Sequence, residues 1–347
     1  FAAGDVELGE HLLDETGAAS LTTSELAVGT YEITVHYEGD ENHAAGTSSV
    51  LTQVVEKAQT SVRLLSSLNP APVLSEVTFT TTVAVVEPGR GTASGEVTLH
   101  VDGEAWASAE LDDAGIASFT VSDFAVGEYE IEATYEGGDG FQSSSSAVVV
   151  QSIDPHAATI ALSVSPESTT YGETIAVEIE AKGEPTTPSG NVVLVLGDDE
   201  IATDVLDGEG RANFAFTPSR AGTHALTVRY LGDANFAEAE ANRALVVDKA
   251  ATETFLVAST DASEEGEAVT FTATVASSVS GMTGEIEFFD DATSLGSIQI
   301  TDGEAAIEVA SLPAGEYSLR AHYRGDGNFE ASISESLELI VQPSKKD

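Results

Sequence analysis

Gly127-Glu128-Tyr129-Glu130-Ile131-Glu132-Ala133-Thr134-Tyr135-Glu136-Gly137 is the stretch from which the rest of the chain can be read. Tyr129, Ile131, Ala133 and Tyr135 fall on one side of an extended backbone, and Glu130, Glu132 and Thr134 on the other. A period of two marks a half-buried β-strand. The glycine that closes the stretch, with an aspartate just behind it, supplies the turn chemistry of a hairpin into another strand.

The pattern recurs at Gly29 to Asp40 (GTYEITVHYEGD), Gly222 to Asp233 (GTHALTVRYLGD) and Gly315 to Asp326 (GEYSLRAHYRGD). The last tyrosines of the four copies, Tyr37, Tyr135, Tyr230 and Tyr323, lie 98, 95 and 93 residues apart. A period of that size is about one β-sandwich domain, and self-similarity at a fixed period defines an array. Other elements repeat in phase. Ser94-Gly95, Ser189-Gly190 and Thr283-Gly284 each open a mid-domain strand, and Val54-Val55-Glu56-Lys57-Ala58 matches Val246-Val247-Asp248-Lys249-Ala250. Within the second copy the alternation predicts strands over 60–65, 77–86, 95–101, 105–111, 116–121, 127–135 and 144–151, with no helical periodicity between them. The expected fold is therefore all-β, a series of antiparallel β-sandwich domains of about seven strands each.

The expected division is a partial domain at 1–57, complete domains at 58–153, 154–249 and 250–342, and a tail at 343–347. Phe1 aligns near Phe288, and Leu8-Gly9 matches Leu295-Gly296. The first copy is thus expected to lack about three strands, which either lie upstream in a longer array or come from another chain. Because residue 1 already falls inside a repeat, no targeting segment is expected there, and the tail carries no recognisable sorting signal.

These residues resemble the bacterial Ig-like domain repeats found in tandem in large secreted and cell-surface proteins. The marks are the Gly-x-Tyr/His strand ending in Tyr-x-Gly-Asp, the Ser/Thr-Gly strand and the Lys-Ala junction. The resemblance spans essentially the whole chain. It implies tandem Ig-like sandwiches in an extended rod, an extracellular or cell-surface location and no enzymatic role, since such domains usually serve as spacers in adhesins, surface-anchored enzymes, phage structural proteins or filament subunits. The expected function is a stalk or filament segment of an adhesive surface or secreted protein. The alternative is a carbohydrate- or protein-binding array attached to a secreted enzyme.

Composition agrees with small aliphatic cores: 41% of residues are hydrophobic but only 6% aromatic, and there is no cysteine for a disulfide or a thiolate site. Acidic residues number 59 against 13 basic ones, a formal net charge of −46. Such a polyanion is repelled by nucleic acid and by anionic membranes, and no stretch approaches the roughly 20 apolar residues of a membrane helix. Expected partners are other copies or segments of the same surface protein, or a host or cell-surface protein or glycan. The acidity itself has three readings: adaptation to high salt, where screening acts over about 3 Å at 1 M; binding of divalent cations; or plain solubility.

No cofactor is expected, calcium apart. The weak calcium candidates are Asp40, Asp139, Asp233 and Asp326, which recur beside other oxygen donors in the Tyr-x-Gly-Asp loops. Calcium takes six to eight oxygens, and a stretch such as Asp326-Gly327-Asn328 offers few, so a turn-stabilising role for these side chains is preferred. Acid clusters at Asp112-Asp113, Asp198-Asp199-Glu200, Glu264-Glu265 and Asp290-Asp291 read as solvated loop tips, while Glu56, Asp154 and Asp248 mark junctions where a cation would stiffen the array. The seven histidines, His11, His36, His43, His100, His156, His224 and His322, lack metal-ligand spacing. No nucleophile elbow, phosphate loop or dinucleotide fingerprint occurs, so no catalytic residue is assigned. Trp106 is placed on a middle strand, in a core or interface. Tyr31, Tyr129 and Tyr317, each shortly after Leu26, Phe124 or Leu312 and a glycine, look like tyrosine corners whose hydroxyls bond nearby backbone. With Tyr37, Tyr135, Tyr230 and Tyr323 they are given a structural role.

Overall fold

The computed structural model describes residues 1–344. Residues 345–347, the end of the expected tail, lie outside them. The described residues form two compact units, Phe1–Pro155 and His156–Asp347, and contain strands and no helix.

The second repeat shows how the pattern becomes a sandwich. Val77–Val85 lies between Thr60–Ser66 and Ile116–Val121 in a three-stranded antiparallel sheet, with Phe79 opposite Phe119. The second sheet runs in the order Glu104–Glu110, Glu96–Val101, Gly127–Tyr135, Val149–Asp154 and Ala71–Pro72. Alternate residues of the facing strands are removed from water, among them Phe79, Val97, Leu99, Ile131, Ala133 and Tyr135, all fully buried. Burying one such large apolar side chain contributes about 1.5–3 kcal/mol, so the alternation read in the sequence is also the source of the stability.

The third repeat repeats the arrangement. Thr159–Ser165, Ile175–Lys182 and Arg211–Phe216 form one sheet; Ser168–Thr170, Ala239–Asp248, Gly222–Tyr230, Asn191–Leu196 and Asp199–Val205 form the other. In the fourth, Glu253–Ala258, Val269–Ala276 and Glu304–Val309 face Ala262–Glu264, Leu337–Gln342, Gly315–Tyr323, Glu285–Asp290 and Thr293–Gln299. Each of the three repeats has its own cluster of buried residues.

Two elements depart from the seven expected strands. The strand expected over 144–151 is broken into Ser144–Ser145 and Val149–Asp154, because at the break the Ser146 hydroxyl accepts the Ala133 N–H (3.0 Å) in place of a ladder carbonyl. The other departure is an added element. After the first strand of each complete repeat the chain crosses to the other sheet and pairs in parallel with the last strand, through Ala71–Pro72, Ser168–Thr170 or Ala262–Glu264. Strands of two or three residues are too short to show alternation. Trp106 also requires correction. Its strand, Glu104–Glu110, is the edge of the sheet and not a middle strand, and the indole is 43% exposed.

In the first repeat Val6–Glu7, Ala2–Ala3, Gly29–Thr34 and Leu51–Val55 form one sheet, and His36–Tyr37 pairs with Gly46–Thr47. Ala2 lies opposite Thr34 just as Phe289 lies opposite Arg320 in the fourth repeat, in line with the alignment of Phe1 to Phe288. No second sheet covers its inner face. Ala3 is the one buried residue in 1–57, and Leu51 is 63% exposed.

The core of the second repeat contains one uncompensated polar atom. Thr81 is fully buried, and its hydroxyl has no hydrogen-bond partner; Ile179 and Ala273 hold the equivalent positions. A buried hydroxyl without a partner forfeits its hydration. Thr81→Val, nearly the same size, is therefore expected to stabilise the second repeat by about 1 kcal/mol in denaturant unfolding of the chain.

Candidate functional site

The two motifs that recur most clearly, Ser/Thr-Gly and Gly-Asp, lie some 40 residues apart in sequence and meet in one contact. In the third repeat Asp233 Oδ1 accepts hydrogen bonds from the backbone N–H groups of Asn235 and Phe236, both at 2.8 Å. Its Oδ2 accepts from Ser189 N at 2.9 Å and Ser189 Oγ at 2.7 Å. The fourth repeat is the same: Asp326 Oδ1 takes Asn328 N (2.8 Å) and Phe329 N (2.9 Å), and Oδ2 takes Thr283 N (2.9 Å) and Thr283 Oγ1 (2.7 Å). Four donors reach each carboxylate, about the number of lone-pair sites it has.

Glycine is required beside this latch. Gly190 and Gly284 hold φ +93° and +97°, and a Cβ at Gly190 would stand 2.9 Å from the Gly232 carbonyl oxygen. The junction residue docks against the same loop. Ala58, His156 and Ala250 bridge to Phe141, Phe236 and Phe329, while Lys57 and Lys249 donate to the carbonyl oxygens of Gly138 and Asp326.

Two of the four calcium candidates thus share one environment. Asp40 keeps half of it, accepting from Asn42 N (2.7 Å) and His43 N (2.8 Å), with His43 Nδ1 at 2.9 Å. Asp139 does not belong with them. The loop bond from Gly138 N to Phe141 O matches those from Asp233 N to Phe236 O and Asp326 N to Phe329 O, so Gly138 holds the aspartate position and exposed Asp139 lies one residue beyond it. The loop has the same length as the others, Tyr135 to Phe141 against Tyr230 to Phe236, so Gly138 replaces the aspartate and Asp139 stands where the third repeat has Ala234.

Burial alone raises the Asp233 and Asp326 carboxyls, but the hydrogen bonds they accept outweigh it and hold both below the usual carboxylate range. The buried phenols beneath respond in the opposite sense. Burial, then the Asp326 charge, pushes Tyr323 up to about 12, and burial with Asp233 raises Tyr230. Tyr135 donates to Ser94 O at 2.6 Å and Tyr323 to Thr283 O at 2.9 Å, whereas the Tyr230 hydroxyl has no partner. Tyr37 is half-buried in its two-stranded pairing.

Tyr31, Tyr129 and Tyr317 donate to the carbonyls of Ala27 (2.9 Å), Ala125 (3.1 Å) and Pro313 (2.7 Å), each four residues back. In the third copy His224 Nε2 lies 3.1 Å from Arg220 O and takes over the same bond. The remaining histidines are dispersed: His36 meets Thr47 Oγ1, His156 packs against Phe236, and His11 lies edge-on to Phe1. Aspartates at other loop tips act as local acceptors. Asp112 and Asp207 each cap two backbone N–H groups of their turn, and Asp290 accepts from Ser318 N. Among the described residues no group of three or more His, Asp or Glu side chains is arranged to hold a metal ion.

Residues 1–56, 64–154, 162–248 and 256–342 each match the bacterial Ig-like domain (group 3). The chain belongs to this family. Bacterial Ig-like repeats are a non-enzymatic domain type. Comparison with characterised proteins by sequence finds no match. Among solved structures the chain is similar to the Escherichia coli adhesin FdeC (15% identity, 83% of this chain and 97% of that one, TM-score 0.30). It is also similar to three N-terminal domains of the bacteriophage RB49 outer capsid protein Hoc (16%, 82% and 100%, TM-score 0.31) and to a Ca2+-stabilized ice-binding adhesin of an Antarctic bacterium (14%, 95% and 86%, TM-score 0.28). Likeness at this level is shared by arrays of different roles and does not choose among functions.

Two outcomes test the latch and the corner. The folded carboxyls of Asp233 and Asp326 titrate below their unfolded value of about 3.9. Their contribution is complete above that pH and disappears as pH falls through the depressed folded values. Circular dichroism melts should therefore show the wild type losing stability steeply below about pH 4, with the Asp233→Asn/Asp326→Asn chain less stable at neutral pH and flatter in acid. Tyr129→Phe removes one partly exposed hydrogen bond and should cost the second repeat about 0.5–1.5 kcal/mol in denaturant titrations.

Proposed function

We propose that these bacterial Ig-like repeats form a non-catalytic structural spacer, a stalk or filament segment of a bacterial cell-surface or secreted adhesive protein. The observation that carries this reading is where the connections go. Only residues 56–57 separate the strand Leu51–Val55 from the bridging Ala58, and only Lys249 separates Ala239–Asp248 from the bridging Ala250. The linker is absorbed into the next sandwich and pinned there by a lysine, so little free chain remains between these domains. Short docked linkers suit a chain that sets distance.

Side-chain chemistry supports the same reading. The recurring Asp, Tyr, Ser/Thr and Gly residues hold loops and corners, and the net charge of −46 favours a solvated, extended surface whose self-repulsion salt screens. Calcium has no assigned place in this proposal, because the oxygens of Asp233 and Asp326 are already engaged. The acidity then serves solubility or life at high salt. Contacts with other segments of the same surface protein, or with a cell-surface protein or glycan, would be made by exposed loops.

A second reading, a binding array on a secreted enzyme, is favoured by the exposed Trp106 on its sheet edge. A glycan that binds the chain and is lost in Trp106→Ala would support it.

The spacer is tested by small-angle scattering of the whole chain across sodium chloride concentration, with and without calcium. The expected result is an elongated particle whose dimensions respond to calcium no more than to sodium at equal ionic strength. A compact particle overturns the spacer, and stiffening at micromolar to millimolar calcium overturns the assignment of the acidity.

A further inference from the structure

The loop latch described above faces two ways, and in the second unit its outer side has an occupant. Asn328, two residues after Asp326, sends its side chain back to the third repeat, where Oδ1 accepts the backbone N–H of Ala221 at 2.9 Å. Phe329, the next residue, meets the ring of Tyr171 edge-on, with centroids 5.5 Å apart at 76°. Tyr171 packs against the buried clusters of both repeats. A third contact lies beside these. Gly172, at φ +92°, sits so close to Val279 that a Cβ built on it would stand 2.4 Å from Val279 Cγ2.

A directional hydrogen bond, an aromatic edge and a close backbone approach, set at separate points of one junction, restrain bending and twisting together. None of the three involves the covalent linker. We infer that the Gly-Asp-x-Asn-Phe loop is an inter-repeat docking element, and that its receptor on the preceding repeat is the Tyr171-Gly172 corner with the Ala221 backbone. Asp326 is then the positioning residue: by tying Asn328 N and Phe329 N it presents the Asn328 amide and the Phe329 ring to the neighbour.

Both halves of this pairing vary along the chain. The docking half is present in the third repeat as Asp233-Ala234-Asn235-Phe236, is altered in the first to Asp40-Glu41-Asn42-His43, and in the second, Gly138-Asp139-Gly140-Phe141, has glycine at both the aspartate and the asparagine positions. The receptor half is Tyr171-Gly172 in the third repeat and Val73-Leu74 in the second, where Leu74 keeps the left-handed backbone, φ +65°, but carries a side chain that Gly172 must lack. The full Asp-x-Asn-Phe loop and the Tyr-Gly corner thus meet at the junction of the third and fourth repeats. The inference rests on the spacer reading for its purpose but not for its geometry.

The absence of cysteine makes the test clean. Glu240→Cys and Glu308→Cys, at exposed strand positions of the third and fourth repeats, carry nitroxide labels on the otherwise intact chain, and pulsed electron–electron distances are recorded. The expected result is one narrow distribution that broadens in Asn328→Leu and in Gly172→Leu. Asn328→Asp, which keeps an Oδ acceptor for Ala221 N–H, should stay narrow. A wild-type distribution that is already broad, or variants that leave its width unchanged while circular dichroism shows all domains folded, overturns the docking element. A label pair placed within the fourth repeat must stay narrow throughout. If it broadens in Asn328→Leu, the loop holds its own domain and not the junction, and the inference also falls. Failure of the spacer reading would appear separately, in the scattering of the whole chain.

Discussion

An amphipathic strand is stable only when a second sheet closes over its apolar face, and everything else in these repeats follows from that closure. The residues Ala18 to Thr23 align one for one with Ile116–Val121, placing Ala19 and Leu21 at the positions of Ala117 and Phe119. In the second repeat the segment is a strand, because Val77–Val85 offers it a ladder and an apolar surface. In the first repeat no such strand lies alongside, and 18–23 is not a strand at all. The same pattern thus gives different local structure according to whether it has a partner, as expected when β-propensity is mostly packing.

Closure also explains how so acidic a chain folds around small cores. Many of its carboxylates play one of two parts, although Glu173 and Glu267 also turn back, to accept Thr170 N and Glu264 N. Glutamates such as Glu128, Glu130 and Glu132 occupy outward strand positions, where water solvates them. Aspartates are short enough to turn back on the backbone, and they staple turns (Asp112, Asp207), strand ends (Asp102, Asp290) and the latch (Asp233, Asp326). Repulsion is thereby kept outside while the inward-turned charges receive N–H and O–H donors.

Much of this was legible in the sequence because alternation and turn residues are local signals. The strand Ile116–Val121 has the boundaries expected of it, as does Gly127–Tyr135, and the tyrosine corners followed from one Tyr after a glycine. What escaped was what depends on a distant partner. The two-residue strand Ala71–Pro72 exists because Ile153 and Asp154 lie beside it. Gln151 occupies a fully buried site held by Leu245 and Leu339 elsewhere, which is tolerable only because Ser66, Leu68 and Ser152 satisfy its amide. The Ser/Thr-Gly and Gly-Asp motifs were each visible, but nothing local announces that one supplies donors to the other. Asp139 was misplaced for a related reason: composition put an aspartate in the loop, and only the hydrogen-bond register shows that Gly138 holds the position.

Hydrogen–deuterium exchange across the four aligned segments tests the dependence on closure most directly, since amide protection reports the local opening free energy. The account predicts slow exchange at the ladder-bonded, alternate amides of the edge strands Ile116–Val121, Arg211–Phe216 and Glu304–Val309, Phe119 among them, and exchange near the unprotected rate for residues 19–23 of the same chain. Protection of Leu21 comparable to that of Phe119 would contradict it, by showing that the strand forms without the sheet that is held here to create it.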